Sequence, residues 1–165
     1  MKRREFVMNI AALAAWPQAA RAQKSTASVV GFVDGASAEL FAGPARAFRQ
    51  GLKETNHEEG RDFSIEERWA QGSNARLPGL VADLVQRQVS VIVTTTTPGA
   101  LAAKTATKTI PVVFAIGSDP VKDGIVPSLN RPGGNVTGVT ALTSELGPKR
   151  LEIMGQVVPG GSFAY

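Results

Sequence analysis

The chain has 165 residues, 43% of them hydrophobic and 19% charged, enough for one α/β domain with its own core and too few for two. It has no cysteine, which excludes disulfides, thiolate-held zinc, thiol catalysis and a lipid anchor on an N-terminal cysteine. The formal charge of +4 comes mainly from the first 22 residues, with four basic residues and one acid; the remainder carries 14 basic against 13 acidic residues and no basic cluster of the kind that grips nucleic acid.

Residues 1–22 have the three parts of an export signal in order. Met1 to Arg4 is basic, Phe6 to Trp16 is mostly apolar, and Ala20-Arg21-Ala22 has the A-x-A form of a cleavage site. The apolar run is too short to span a bilayer, which takes ~20 residues. Arg3-Arg4-Glu5-Phe6-Val7 also fits the twin-arginine pattern, so general secretory and twin-arginine export both stay open. A periplasmic location is expected, with the mature chain starting near Gln23.

Ser28 to Val33 is short, apolar and β-branched, and reads as a buried strand followed by the loop Asp34 to Ser37. Phe41, Ala45, Phe48 and Leu52 then mark one face of a helix. Residues 63–69 alternate and read as a half-exposed edge strand. Ser73 or Asn74 is placed to cap a second helix, whose core face is Leu77, Leu80, Val81, Leu84 and Val85. Val89 to Thr95 is the clearest buried strand, with Thr96 to Gly99 as its loop and Ala100 to Lys108 as an alanine-rich helix. Ile110 to Ala115 is a fourth strand, Val121 to Asn135 a long loop, and Val136 to Thr140 a fifth strand. Thr143 or Ser144 caps a last helix running to about Val158. This alternation predicts an open parallel sheet with helices on both faces, a three-layer α/β/α unit with right-handed crossovers.

Ligands of such sheets bind at the carboxyl ends of the strands, near the topological switch. The loops there are rich in Ser, Thr, Asp and Gly, which suits hydrogen bonding to a small polar or zwitterionic solute. Candidate contacts are Asp34, Ser37, Thr96, Thr97, Ser118, Asp119 and Thr140. The threonine run 94–97 has a second reading, as a strand end plus a helix cap. Asp119 is placed either to pair with an ammonium group or to start an Asx-turn. An enzyme is not expected: His57 is the lone histidine, Glu58-Glu59 and Glu66-Glu67 read as surface charge, and neither G-x-G-x-x-G nor a P-loop is present. No metal and no cofactor are expected.

The run IPVVFAIGSDPVKDGIVPSLNRPGGNVTGVTAL, Ile110 to Leu142, resembles the signature of ABC-transporter substrate-binding proteins. Phe48 to Glu54, the N-A-R-L-P-G-L helix start and Lys149 to Pro159 extend the likeness over nearly all of residues 28–159. The resemblance implies a type I periplasmic-binding-protein fold, in which two α/β lobes clamp a solute. It implies an inner-membrane permease as partner and a small solute, such as an aromatic amino acid, as ligand. On this reading residues 23–142 form the first lobe and 143–165 begin a second, the chain being a truncated version. The alternatives are a periplasmic sensor lobe for a membrane receptor and a non-functional gene remnant. With the last helix belonging to that missing second lobe, Leu146, Leu151, Ile153, Met154, Val157 and Val158 are expected to lack a sheet to pack on.

Overall fold

The computed structural model describes residues 28–143 and 146–157; the leader, Ser144 and the tail from Val158 lie outside the described residues. Five strands, β1 (Ser28–Asp34), β2 (Phe63–Trp69), β3 (Val91–Thr94), β4 (Val112–Ile116) and β5 (Val136–Thr140), form one sheet in the order β2-β1-β3-β4-β5. Every neighbouring pair is parallel. The helices are α1 (Ala38–Glu54), α2 (Leu77–Gln86), α3 (Thr97–Ala106) and α4 (Gly147–Val157). The expected α/β class, strand count and edge position of β2 all hold.

Side-chain alternation puts α1 on one face of the sheet and α2 with α3 on the other. Phe32 points up to α1, with ring centroids 5.5 Å from Phe41 and 6.1 Å from Phe48, and Trp69 of β2 closes this cluster. One residue earlier the strand is Gly31, and a side chain there would strike Leu84 of α2 and Val89. The main core lies on that second face: Val33, Leu77, Val81, Leu84, Ile92, Ala100, Ala103 and Val112 are essentially unexposed. The alanines of α3 are what allow the helix so close to the sheet. At Gly99 a Cβ would collide with the Thr94 hydroxyl, which is itself fully buried.

The α1 face is only half covered. Helix α1 sits over β1 and β2, and at the other end of the sheet Val113 and Val139 are 37% and 68% exposed. Helix α4 does not fill this space, and none of its described residues is buried. Leu146, Ile153, Met154 and Val157 remain between 45% and 74% exposed, as expected of a helix without a sheet.

Several boundaries differ from the sequence expectation: β3 and β4 each start two residues later than their apolar runs, at Val91 and Val112. Neither Ser73 nor Asn74 caps α2 with its side chain; residues 74–76 form a 3-10 turn closed by backbone bonds, and α2 starts at Leu77 with Pro78 in its first turn. Helix α3 starts at Thr97, three residues early, because the Thr96 hydroxyl accepts from the Gly99 amide and caps it.

Candidate ligand-binding site

In the order β2-β1-β3-β4-β5 the chain reverses direction across the sheet between β1 and β3, so the loops after these strands diverge and leave a crevice at their carboxyl ends. Three loops meet there: residues 34–37 after β1, 95–97 after β3, and 117–120 after β4. The β1 loop is pinned from the far side, since the amides of Ala70, Gln71 and Gly72 donate to the carbonyls of Asp34, Ala36 and Gly35.

Asp34 is 1% exposed and holds the β1 and β3 loops together. Its Oδ1 accepts from the Ala36 amide at 2.8 Å, and its Oδ2 accepts from the Thr95 hydroxyl. Its role is therefore structural support of the rim, with the carboxylate oxygens turned inward. Ser37 caps α1 by accepting from Leu40 N at 3.4 Å. Glu39, in the first turn of α1, is held below the usual carboxylate range by its own backbone amide and then by the Ser37 hydroxyl.

The β3 and β4 loops are joined by side chains. Thr97 and Ser118 hydroxyls lie 2.7 Å apart, and Ser118 donates to Asp123 Oδ2 at 2.5 Å. Thr140, at the end of β5, donates to the Ser118 carbonyl at 2.6 Å, and Thr143 reaches the Gly117 carbonyl at 3.4 Å. Asp119 makes the Asx-turn that was one of its two readings: Oδ1 accepts from the amides of Val121 and Lys122. Of the seven residues picked from sequence, Thr97, Ser118 and Thr140 thus form one bonded cluster, Asp34 and Thr96 brace it, and Ser37 and Asp119 cap flanking turns.

Asp123 is a participant the sequence reading missed, and Thr95 belongs to the threonine run that the reading singled out. Asp123 lies five residues after Ser118 in the long loop, but the turn closed by Asp123 N on the Asp119 carbonyl brings it back. His57 is exposed and pairs with the Thr55 hydroxyl, away from the rim. The described residues include no His, Cys, Asp and Glu group able to hold a metal. An apolar groove of about 550 Å³ runs between α2 and α3, lined by Leu77, Pro78, Pro98 and Leu101. Asn74 also lines it, and Asn74 Oδ1 would lie 3.3 Å from a Cβ on Gly35 of the β1 loop, so the groove abuts the rim.

A five-stranded parallel sheet flanked by helices, with hydroxyl-rich loops gathered at its switch point, makes this an open α/β lobe. The chain belongs to the ABC transporter substrate binding protein family, whose model matches residues 27–161. It is 32% identical over 114 residues to a tyrosine-binding protein of Clostridioides difficile, covering 69% of this chain and 32% of that protein. A conserved domain protein from Vibrio cholerae superimposes with a TM-score of 0.71 at 29% identity, over 82% of this chain and 45% of that one. A domain from Streptococcus pneumonia in complex with L-Trp gives 0.63 at 28% identity, over 70% and 39%. A ligand-free, open substrate-binding protein from Clostridium difficile gives 0.63 at 25% identity, over 76% and 43%. The chain therefore spans about a third of its curated relative and under half of each of these solved structures.

Proposed function

We propose that this chain captures a small polar solute, an amino acid or a close analogue, on the rim of its sheet for delivery to an ABC permease. Residues 23–142 act as the first lobe of a two-lobed clamp, and α4 leads toward the second. The leader directs the protein to the periplasm. Capture is non-covalent, and no bond is made or broken. The observation that carries this reading is the junction of the β3 and β4 loops through Thr97, Ser118 and Thr140 at the strand ends beside the switch point. Two relatives support the ligand class, since one is named for tyrosine and the other is complexed with L-Trp.

The test is titration of the chain with L-tryptophan and L-tyrosine. Amide NMR signals of residues 95–97, 99 and 117–118 are expected to move, with affinity in the millimolar range or weaker. No response at these amides up to the solubility limit overturns the site. Micromolar affinity by calorimetry overturns the need for a second lobe. Fusion of residues 1–30 to a periplasmic reporter checks export, and a cytoplasmic reporter refutes it.

A further inference from the structure

We propose that the hollow between the end of α3 and the loop entering β5 is a second binding site, one that takes a phosphate-type oxyanion. It is separate from the rim and goes beyond the solute-binding reading above. All five strands run parallel, so their starts lie together at the end of the sheet away from the rim. There a pocket of about 340 Å³ brings Lys104 and Lys108 together with Gly133 and Gly134, with the buried Ile125 and Val136 behind them. No Asp or Glu lines it. Elsewhere the lobe pairs many of its cations: Arg49, Arg61, Arg68 and Arg87 each meet carboxylates. Among the described residues, Lys104 and Lys108 meet only carbonyls.

Those carbonyls position the two ammonium groups without using them up. Lys104 Nζ donates to the Gly124 carbonyl at 2.5 Å, and Lys108 Nζ donates to the Lys104 carbonyl at 2.8 Å. An ammonium has three N–H donors, so each keeps two for a ligand. The Lys108 bond also caps the last turn of α3, an end that carries about half a negative charge. Against two ammonium charges, the net charge facing the pocket stays positive. The loop side is tied down: Asn135 Nδ2 donates to the carbonyls of Thr107 and Ile110 at 3.3 and 2.7 Å. Gly133 and Gly134 have φ of 64° and 63°. A Cβ on Gly134 would meet nothing, so backbone conformation and not crowding calls for glycine there. Neither amide has a partner among the described residues. Successive free amides in a turn suit an anion. Lysine recognises phosphate as a point charge, without the planar fork that arginine brings to a carboxylate, so a compact tetrahedral oxyanion is the fitting class. Free phosphate and a phospholipid headgroup present the same group.

The whole chain is titrated with sodium phosphate and, separately, with sodium chloride at matched ionic strength, followed by amide NMR. Phosphate should shift the amides of Lys108, Gly133 and Gly134 saturably, with a Kd of about a millimolar, and chloride should not. Lys108→Gln should weaken this binding about tenfold, while Lys108→Arg should stay within about threefold of the parent. Urea midpoints separate a loss of binding from unfolding. If Lys108→Gln does not fold, Lys104→Met should show the same loss. Co-sedimentation with phosphatidylglycerol vesicles distinguishes the sources. Retention that Lys108→Gln abolishes, without a response to free phosphate, assigns the site to a lipid headgroup; a phosphate response without retention assigns it to the free oxyanion. An equal response to chloride, or neither a saturable phosphate shift nor Lys108-dependent retention, overturns the proposal. L-tryptophan shifts at the rim should be the same in Lys108→Gln, so the outcome is independent of the solute-binding reading.

Discussion

Replacing Asp34 tests whether the rim is held from beneath by one buried carboxylate. Asp34→Ala removes both acceptors at once, leaving the Ala36 amide and the Thr95 hydroxyl unpaired. Hydrogen bonds to a charged acceptor contribute about 1.5–3 kcal/mol each. Thr95 is only half-buried, so water replaces part of its bond, and the expected loss is about 2–4 kcal/mol. With a urea slope of about 1–3 kcal/mol/M for a domain of this size, the midpoint should fall by roughly 1–2 M. Asp34→Asn is the control. Its amide oxygen still accepts from Ala36, and Thr95 can rotate to accept from the amide nitrogen, so the loss should be about 1 kcal/mol. Circular dichroism during urea unfolding gives both numbers. A midpoint shift for Asp34→Ala no larger than that for Asp34→Asn would refute the assignment of Asp34 as the tie between the two loops.

Gly99→Ala should destabilise by about 1–3 kcal/mol, since its Cβ meets a buried hydroxyl that has no room to move. Combined with Thr94→Ala the two losses should add to less than their sum, because the collision disappears. Asp62 is held at about 2, below its usual 3.8, first by the Arg61 guanidinium and then by the Glu58 amide. Its folded-state value is the lower one, so its stabilisation is present above 3.8 and is lost as pH falls through about 2. Asp62→Asn should therefore flatten the fall in urea midpoint over that acid range, and an unchanged acid limb contradicts the pairing. Hydrogen exchange should find α4 amides nearly unprotected, since an 11-residue helix with no buried residue is marginal, while β1 and β3 amides exchange only with global unfolding.

The sheet was legible because each inner strand is a four- to seven-residue β-branched run between turn residues, and β5 and β2 match their expected limits. The 3-10 turn before α2 was not, because it is made by backbone bonds alone and competes with a side-chain cap that Ser73 could have supplied. Strand β3 starts later than its apolar run because Val89 and Ser90 spend their amides on Leu84 and Val29 in the connection. At the rim, the strand-end rule placed Thr97, Ser118 and Thr140 near one another because it depends only on topology. It could not find Asp123, whose approach to Ser118 follows from the Asx-turn at Asp119, a local event with no periodic signature. The same turn realises one of the two readings of Asp119, whose Oδ1 accepts from Val121 and Lys122.

The division of labour on the proposed reading follows from what an exposed rim can and cannot supply. Ordering a small ligand costs at least about 4 kcal/mol, and hydrogen bonds in the open return about 0.5–1.5 kcal/mol each. Two or three hydroxyl oxygens on an ammonium group therefore come close to cancelling that cost, which corresponds to millimolar affinity or weaker. Further affinity has to come from burying the rest of the solute. An aromatic side chain of about 150–250 Å² would contribute roughly 4–6 kcal/mol at about 25 cal/mol per Å². Orientation is thus the contribution of this lobe, and enclosure that of the surface that closes on it. A Thr97→Val chain, titrated with L-tryptophan, should accordingly change affinity by less than about tenfold, because one exposed hydrogen bond is all that is removed.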